Sequence, residues 1–363
     1  MAADALRRLW GEMRELGLGV SGDLHRHDSA PSPLQFLRDH VSPNMPCIIS
    51  PSATAHWPAI ARSLWIDDDY LCNTLRSQIV SLHQTPNGRA DSLVPLPKSR
   101  SESDEDRLCF ATPFVQQIPF PEALRMISSP TSSPTAPVAY AQQQNDCFRG
   151  EYSALAADVE PHIPWATEAF GCFPEAINLW IGNSLSQTSF HKDHYENLYV
   201  VITGEKHFLL LPPTDLHRLY IRSYPAARYI ASPESGELIL ELECPERQVP
   251  WCSVDPFPSS REAMLRQMAS FPLYFNGPKP LECTIKAGEI LYLPSMWFHH
   301  VRQTPDCNGT TIAINYWYDM QFDIKYAYFN FLQSFKVVPH HFLCDMSEKQ
   351  TQADEEANEQ SER

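Results

Sequence analysis

The sequence is short of basic residues: 28 Lys plus Arg stand against 44 Asp plus Glu, a formal charge of −16 over 363 residues. That deficit argues against general affinity for nucleic-acid phosphates and favours approach by a basic segment of another protein. No uninterrupted apolar run reaches the length of a membrane span, so no membrane partner is expected. Met1–Val20 is broken by Asp4, Arg7, Arg8, Glu12, Arg14 and Glu15, which is not the pattern of a secretory leader. The ten Cys include no closely spaced Cys-x-x-Cys pair, so reduced thiols in a cytoplasmic and/or nuclear protein are expected. The spacing His-Glu-x-x-His, which sets two ligands and a general base on one helix, is also absent. There is no internal repeat.

What is present suffices for a substantial core. Hydrophobic residues make up 43% and aromatics 11% of the chain, and 32 Pro imply few long helices away from the ends. Leu6, Leu9, Trp10, Met13 and Leu16 recur at mostly helical steps, which predicts an amphipathic helix docked on the main body. Trp57, Trp65 and Tyr70 are expected to pack. Ser99–Arg107 and Ser128–Pro137 read as polar excursions, with a short helix across Thr112–Met126 between them and a strand at Val138–Gln142.

From Ile177 onward strand patterns dominate: Ile177–Ile181, Leu198–Thr203, His207–Leu211, Arg228–Ile230, Leu238–Leu240, Glu282–Ile285, Glu289–Leu293 and Thr311–Tyr318. Short strands bounded by Gly and Pro suggest a mainly β antiparallel sandwich or barrel. Ile324, Tyr328, Phe331 and Phe335 form a helical stripe that closes one end of the barrel or permits a homodimer. Asp345–Arg363 is expected to be a disordered acidic tail.

The chemistry is concentrated in Thr188–His194. His191 and Asp193 fall on one face if the backbone is extended, and they offer an imidazole nitrogen and a carboxylate oxygen to a metal. A third ligand must come from elsewhere, and the pair His299-His300 follows a strand and a turn. From the residues alone the two histidines are nearly equal choices. Two His and one carboxylate on one side of Fe(II) leave three positions open, two for a bidentate 2-oxoacid and one for dioxygen. A structural zinc site would instead fill four positions with protein donors.

The stretch Asn178–Met320 resembles a JmjC-domain hydroxylase of the cupin superfamily. The resemblance is carried by Asn178–Gly182, Thr188–Pro213, Ala287–Val301 and Thr311–Met320, in the family's order and spacing. Pro33–Ser50 and His162–Trp165 extend it over most of the chain and place it nearest the family's lysyl hydroxylases. The resemblance implies a cupin/JmjC double-stranded β-helix (jelly-roll) with flanking N- and C-terminal helices. Residues 1–137 would then be elements packed on the core, and 138–320 the catalytic barrel, with a variable insertion near 241–271. A C-terminal helical region at 321–344 and the tail 345–363 would follow.

It further implies Fe(II) at His191, Asp193 and His299, with 2-oxoglutarate and dioxygen as cosubstrates. Lys206, Thr188 and Tyr140 would hold the distal carboxylate, and Asn197 and Asn315 would complete the pocket. Trp180 and Trp317 are expected as walls or core supports. The implied reaction is (3S)-hydroxylation of a lysine in a developmentally regulated GTP-binding protein, with Glu196 or Asp319 as an anchor for the lysine. The alternatives are demethylation of N-methyl-lysine, metal-dependent peptide cleavage, and a scaffold without activity.

Overall fold

A computed structural model of the chain describes residues 2–18, 23–96, 107–129 and 136–335. Alternation along three neighbouring strands sets the layout. In Tyr195–Thr203, Leu198, Val200 and Ile202 enter one apolar core, while Tyr199 and Val201 enter another. Thr311–Asp319 divides in the same way, with Ile312, Ile314, Tyr316 and Tyr318 on the first side and Ala313 on the second. Ala176–Gly182 sends Ile177, Leu179 and Ile181 to the first core and Trp180 to the second. Strands covered on both faces need no polar side, which is why these segments read as almost unbroken apolar runs.

Those strands belong to a six-stranded sheet in the order His25–His27, Cys47–Ile49, Ile290–Leu293, Tyr195–Thr203, Thr311–Asp319, Ala176–Gly182. A five-stranded sheet runs Leu281–Lys286, Glu205–Leu211, Phe298–Thr304, Gln187–His191, Arg89–Ala90. Between them lies the second core, in which Tyr199, Leu291 and Ala313 meet Phe208, Leu210, Ile285 and Val301. The first core fills the other side of the six-stranded sheet, beneath helices that include Asp68–Thr74, Phe120–Ser128 and Pro164–Phe170. A further sheet joins Ser92–Pro95 and Leu108–Thr112 to Arg222–Ala231, which also pairs with Leu238–Leu242 and Gln248–Trp251. Ile79–Thr85 pairs with Phe114–Pro119 and Val138–Tyr140 in a small fourth sheet.

This corrects the expected mainly β jelly-roll. Among the described residues the strands form open sheets, none closed or curled into a barrel, and helices from Ala2–Leu18 to Ile324–Ser334 make the fold mixed α/β. Short Gly- and Pro-bounded strands announce local extension. Closure depends on tilt and stagger between strands distant in sequence, which period-two patterning does not encode.

Each strand expected between Ile177 and Tyr318 coincides with or overlaps an observed one, but the expected set omits Gln187–His191, Gln248–Trp251 and Phe298–Thr304. The helix expected from Thr112 starts only at Phe120, with Pro121 in its first turn; Phe114–Pro119 is a strand. The helix Ala2–Leu18 docks through part of its stripe: Leu6 and Trp10 bury against Leu273 and Arg14 pairs with Asp215 at 2.7 Å, while Leu16 stays exposed. Ile324–Ser334 docks through Phe329, so the stripe Ile324, Tyr328, Phe331 and Phe335 is its exposed side. Most of 99–107, most of 128–137, and the tail 345–363 lie outside the described residues, as does 336–344 of the expected C-terminal helical region. No helix among the described residues is long and apolar enough to cross a membrane.

Candidate metal centre

His191 ends the strand Gln187–His191 and pairs across the ladder with His299. Asp193 follows in the loop, where its carbonyl accepts a hydrogen bond from the backbone N–H of Met296 at 2.9 Å. Met296 takes a φ of 66° in the turn after Pro294, so this contact comes from a tight local bend. Ligand atoms of His191, Asp193 and His299 consequently all lie within 4.8 Å of one another. Asp193 Oδ2 is 3.8 Å from His191 Nε2 and 3.7 Å from His299 Nε2.

Both imidazoles are oriented from behind. His191 Nδ1 lies 2.9 Å from the Ser189 carbonyl, and His299 Nδ1 lies 3.1 Å from the Trp297 carbonyl. A proton held on Nδ1 by a carbonyl leaves the Nε2 lone pair facing the cluster. Burial, reinforced by His191, pushes His299 down to about 4, which keeps it a neutral donor.

Strand alternation separates His299 from its neighbour. His300 turns to the opposite side of the sheet, its ring centroid 5.6 Å from Phe190 and 5.3 Å from Phe257. Burial, together with Arg302 and Arg89, holds it at about 3.

A second polar group forms on the same inner face. Lys206 and Gln303 are ladder partners, and the buried Lys206 Nζ donates to Gln303 Oε1 and to the Tyr140 hydroxyl at 3.2 Å. Nζ also lies 5.4 Å from the Tyr140 ring centroid and 6.0 Å from that of Tyr199. Among the described residues no carboxylate forms an ion pair with it, and burial brings its pKa down to about 7. A buried amine with neutral partners carries charge at a cost that an incoming carboxylate would offset.

Thr188 and Tyr140 line the same cavity. Gly182 makes the group possible, since a Cβ there would lie 2.2 Å from Gln303 Nε2 and 2.8 Å from the Tyr140 ring. Trp180 Nε1 donates to Asn315 Oδ1 at 2.9 Å, and Asn315 Nδ2 donates to Asn197 Oδ1 at 3.2 Å.

Tyr140, Thr188, Asn197 and Asn315 line one cavity with the three-residue cluster, as do Trp180 and Trp317. Lys206 reaches that cavity through the Tyr140 hydroxyl. Glu196 does not serve there: it is buried and accepts from Tyr292 Oη at 2.6 Å, Ser295 Oγ at 2.9 Å and Ser295 N at 3.2 Å. Asp319 is exposed and pairs in the ladder with Tyr195, whose ring stacks on Trp317 at 4.8 Å.

Sequence reasoning misses Gln303 and Trp251. Gln303 shares the inward face of His299 two steps along the alternation, a signal that an assigned strand would have given. Trp251 stacks on His191 with centroids 6.4 Å apart and planes 4° apart, and its Nε1 donates to Ser189 Oγ at 3.0 Å. It lies in the stretch 241–271, and only pairing with Arg222–Ala231 brings it to the site.

A family model described as a cupin-like domain matches residues 33–324. The chain belongs to this cupin-like, JmjC-type family of oxygenases. It is 58% identical over 332 residues to lysine-specific demethylase JMJ32 of Arabidopsis thaliana, covering 92% of this chain and 91% of that protein. It is 39% identical over 339 residues to the bifunctional peptidase and (3S)-lysyl hydroxylase JMJD7 of Homo sapiens, covering 92% and 98%. JmjC domain-containing protein E of Dictyostelium discoideum is 35% identical over 314 residues, covering 84% and 86%. The expectation of greatest likeness to a lysyl hydroxylase is thereby corrected, because identity to the demethylase is higher over the same share of this chain.

Proposed function

We propose that the chain is an Fe(II)- and 2-oxoglutarate-dependent demethylase of N-methyl-lysine in a protein. The observation that carries the cosubstrate is the buried Lys206 amine, with no carboxylate partner among the described residues, linked through Tyr140 to the cavity of a two-histidine, one-carboxylate cluster. His191, Asp193 and His299 would hold Fe(II), whose mixed nitrogen and oxygen donor set suits them. Lys206, Tyr140 and Thr188 would hold the distal carboxylate, while Asn197 and Asn315 fix the wall between them. When bound, Fe(II) with 2-oxoglutarate and dioxygen supplies an oxidant that hydroxylates a C–H bond, with succinate and carbon dioxide as coproducts.

On an N-methyl carbon the product is a carbinolamine. Its C–N bond breaks as the hydroxyl proton passes to nitrogen, releasing formaldehyde and the free amine. The 58% identity to a protein named as a lysine-specific demethylase supports this substrate. So does the rim, where Tyr195 stacks on Trp317 and pairs in the ladder with the exposed Asp319. An aromatic face with a nearby carboxylate suits a methylated ammonium. The nine described cysteines are all unpaired, which supports a cytoplasmic or nuclear setting.

The 39% identity to a protein named as a (3S)-lysyl hydroxylase and peptidase favours a second reading, hydroxylation of a lysine, as in a developmentally regulated GTP-binding protein. One assay separates them. Protein loaded with Fe(II) without oxygen is given methylated and unmodified lysine peptides, then oxygen and 2-oxoglutarate. Demethylation yields formaldehyde and a peptide lighter by a methyl-sized increment. A gain of one oxygen without formaldehyde establishes hydroxylation instead, and cleavage without succinate establishes peptidase action. Absence of 2-oxoglutarate turnover with every peptide would overturn the oxygenase assignment.

A further inference from the structure

Three histidines outside the cavity described above converge near the N-terminal end of the chain. His25 and His27 occupy alternate positions of an edge strand, so both side chains leave the same face. His40 comes from a single wide turn, Leu37–Val41, in which Ser42 N–H bonds the Leu37 carbonyl at 2.8 Å. Such π-type turns recur at functional sites because they re-aim one side chain. Here the turn aims His40 at the strand: His27 Nε2 and His40 Nε2 are 2.7 Å apart. Ring centroids of His25 lie 4.4 Å from His27 and 5.6 Å from His40. Ligand atoms of all three residues lie within 4.8 Å of one another. His27 and His40 are buried, whereas His25 is exposed beside a cleft that Asp23 and Asp39 also line.

We propose that His25, His27 and His40 form a second metal site that binds a zinc ion through three imidazole nitrogens and leaves one position open to the cleft. The donor set selects the ion. Three neutral nitrogens suit zinc, whereas the carboxylate-containing cluster at His191 suits Fe(II). Burial and the neighbouring rings keep His27 below its ordinary value and His40 at about 4, so both offer lone pairs at neutral pH. Asp23 and Asp39 stand at the entrance, with Asp39 paired to Arg38 at 2.6 Å and Arg26 on the same cleft, so the three imidazoles rather than net charge carry the site. Entry of the ion replaces the His27–His40 contact and ties the edge strand to the turn. The site shares no residue with the His191 cluster and stands independently of the proposed oxygenase reaction.

The test uses the metal-free full chain carrying His191→Ala and Asp193→Ala, which removes competition from the other cluster. Zinc titration by calorimetry is expected to give one ion per chain, with chemical-shift changes at the rings of His25, His27 and His40. Adding His25→Ala, an exposed position whose loss leaves the fold intact, should weaken zinc binding by about tenfold or more. Adding His25→Ala with His40→Asn should abolish saturable binding. No stoichiometric zinc, or binding indifferent to His25→Ala and His27→Ala, would overturn the site and leave the His27–His40 contact as an imidazole hydrogen bond alone.

Discussion

The two three-residue clusters differ in how their nitrogens are held. At His191 and His299 each Nδ1 faces a backbone carbonyl, so both Nε2 atoms are aimed before any ligand arrives. At His27 and His40 the Nε2 atoms touch each other at 2.7 Å, so an ion must part them. The first cluster sits on a strand ladder facing the cavity lined by Tyr140, Thr188 and Asn315, and the second on an edge strand beside a cleft. The first arrangement is preorganised for chemistry that needs fixed open positions; the second only needs to gather a cation.

The largest expected effect breaks the comparison at its root. His191→Ala or Asp193→Ala should lower peptide-dependent succinate formation by about a thousandfold or more, the loss of several kcal/mol of metal assistance. His25→Ala should leave that rate within about twofold, since it touches no part of the cavity. Equal losses in the two variants would mean that the clusters act as one site.

Lys206→Met should raise the KM for 2-oxoglutarate by about tenfold to a hundredfold, the loss of charge-assisted bonds to the carboxylate. The same change should raise cosubstrate-free stability by about 1 kcal/mol, because a buried amine with only neutral hydrogen-bond partners is replaced by an apolar chain of similar length. Thermal melting with and without 2-oxoglutarate reads both effects.

Burial holds Lys206 at about 7 before the cosubstrate binds, and a bound carboxylate raises it. Above that value binding takes up a proton, so affinity should weaken as pH rises, by up to about tenfold per unit, until the raised pKa is passed. Dissociation constants for 2-oxoglutarate measured across pH check the sign, and Lys206→Met should flatten the profile. A smaller loss of turnover than at the metal ligands, a few-fold, is expected at Trp251→Ala, which removes the ring stacked on His191 and should cost about 2 kcal/mol of stability.

Much of the candidate site was open to reading, but unevenly. His191 and Asp193 stand two apart in a recognisable window, although Asp193 lies beyond the strand end and reaches the cluster through the Met296 contact. Lys206 is a turn residue by its Gly-Glu-Lys context, and its burial appears only when Glu205–Leu211 pairs with Phe298–Thr304. Glu196 looked available as an acid near the cluster, yet tertiary packing commits both oxygens to Tyr292 and Ser295. Trp251 had no local signal at all.

By itself the sequence indicated most of the extended segments from Ile177 onward, because residue alternation and Gly/Pro boundaries are local properties, but it missed Phe114–Pro119 and Phe298–Thr304. It also determined which side chains are able to bind a metal, since donor chemistry belongs to the residue. The choice of His299 over His300, nearly even from the residues and implied by the resemblance, rests physically on strand alternation. The tertiary structure alone decided that the sheets stay open and that, among the described residues, Lys206 meets no carboxylate. Each of those depends on which strand lies beside which, a relation between residues far apart in the chain that no local pattern records.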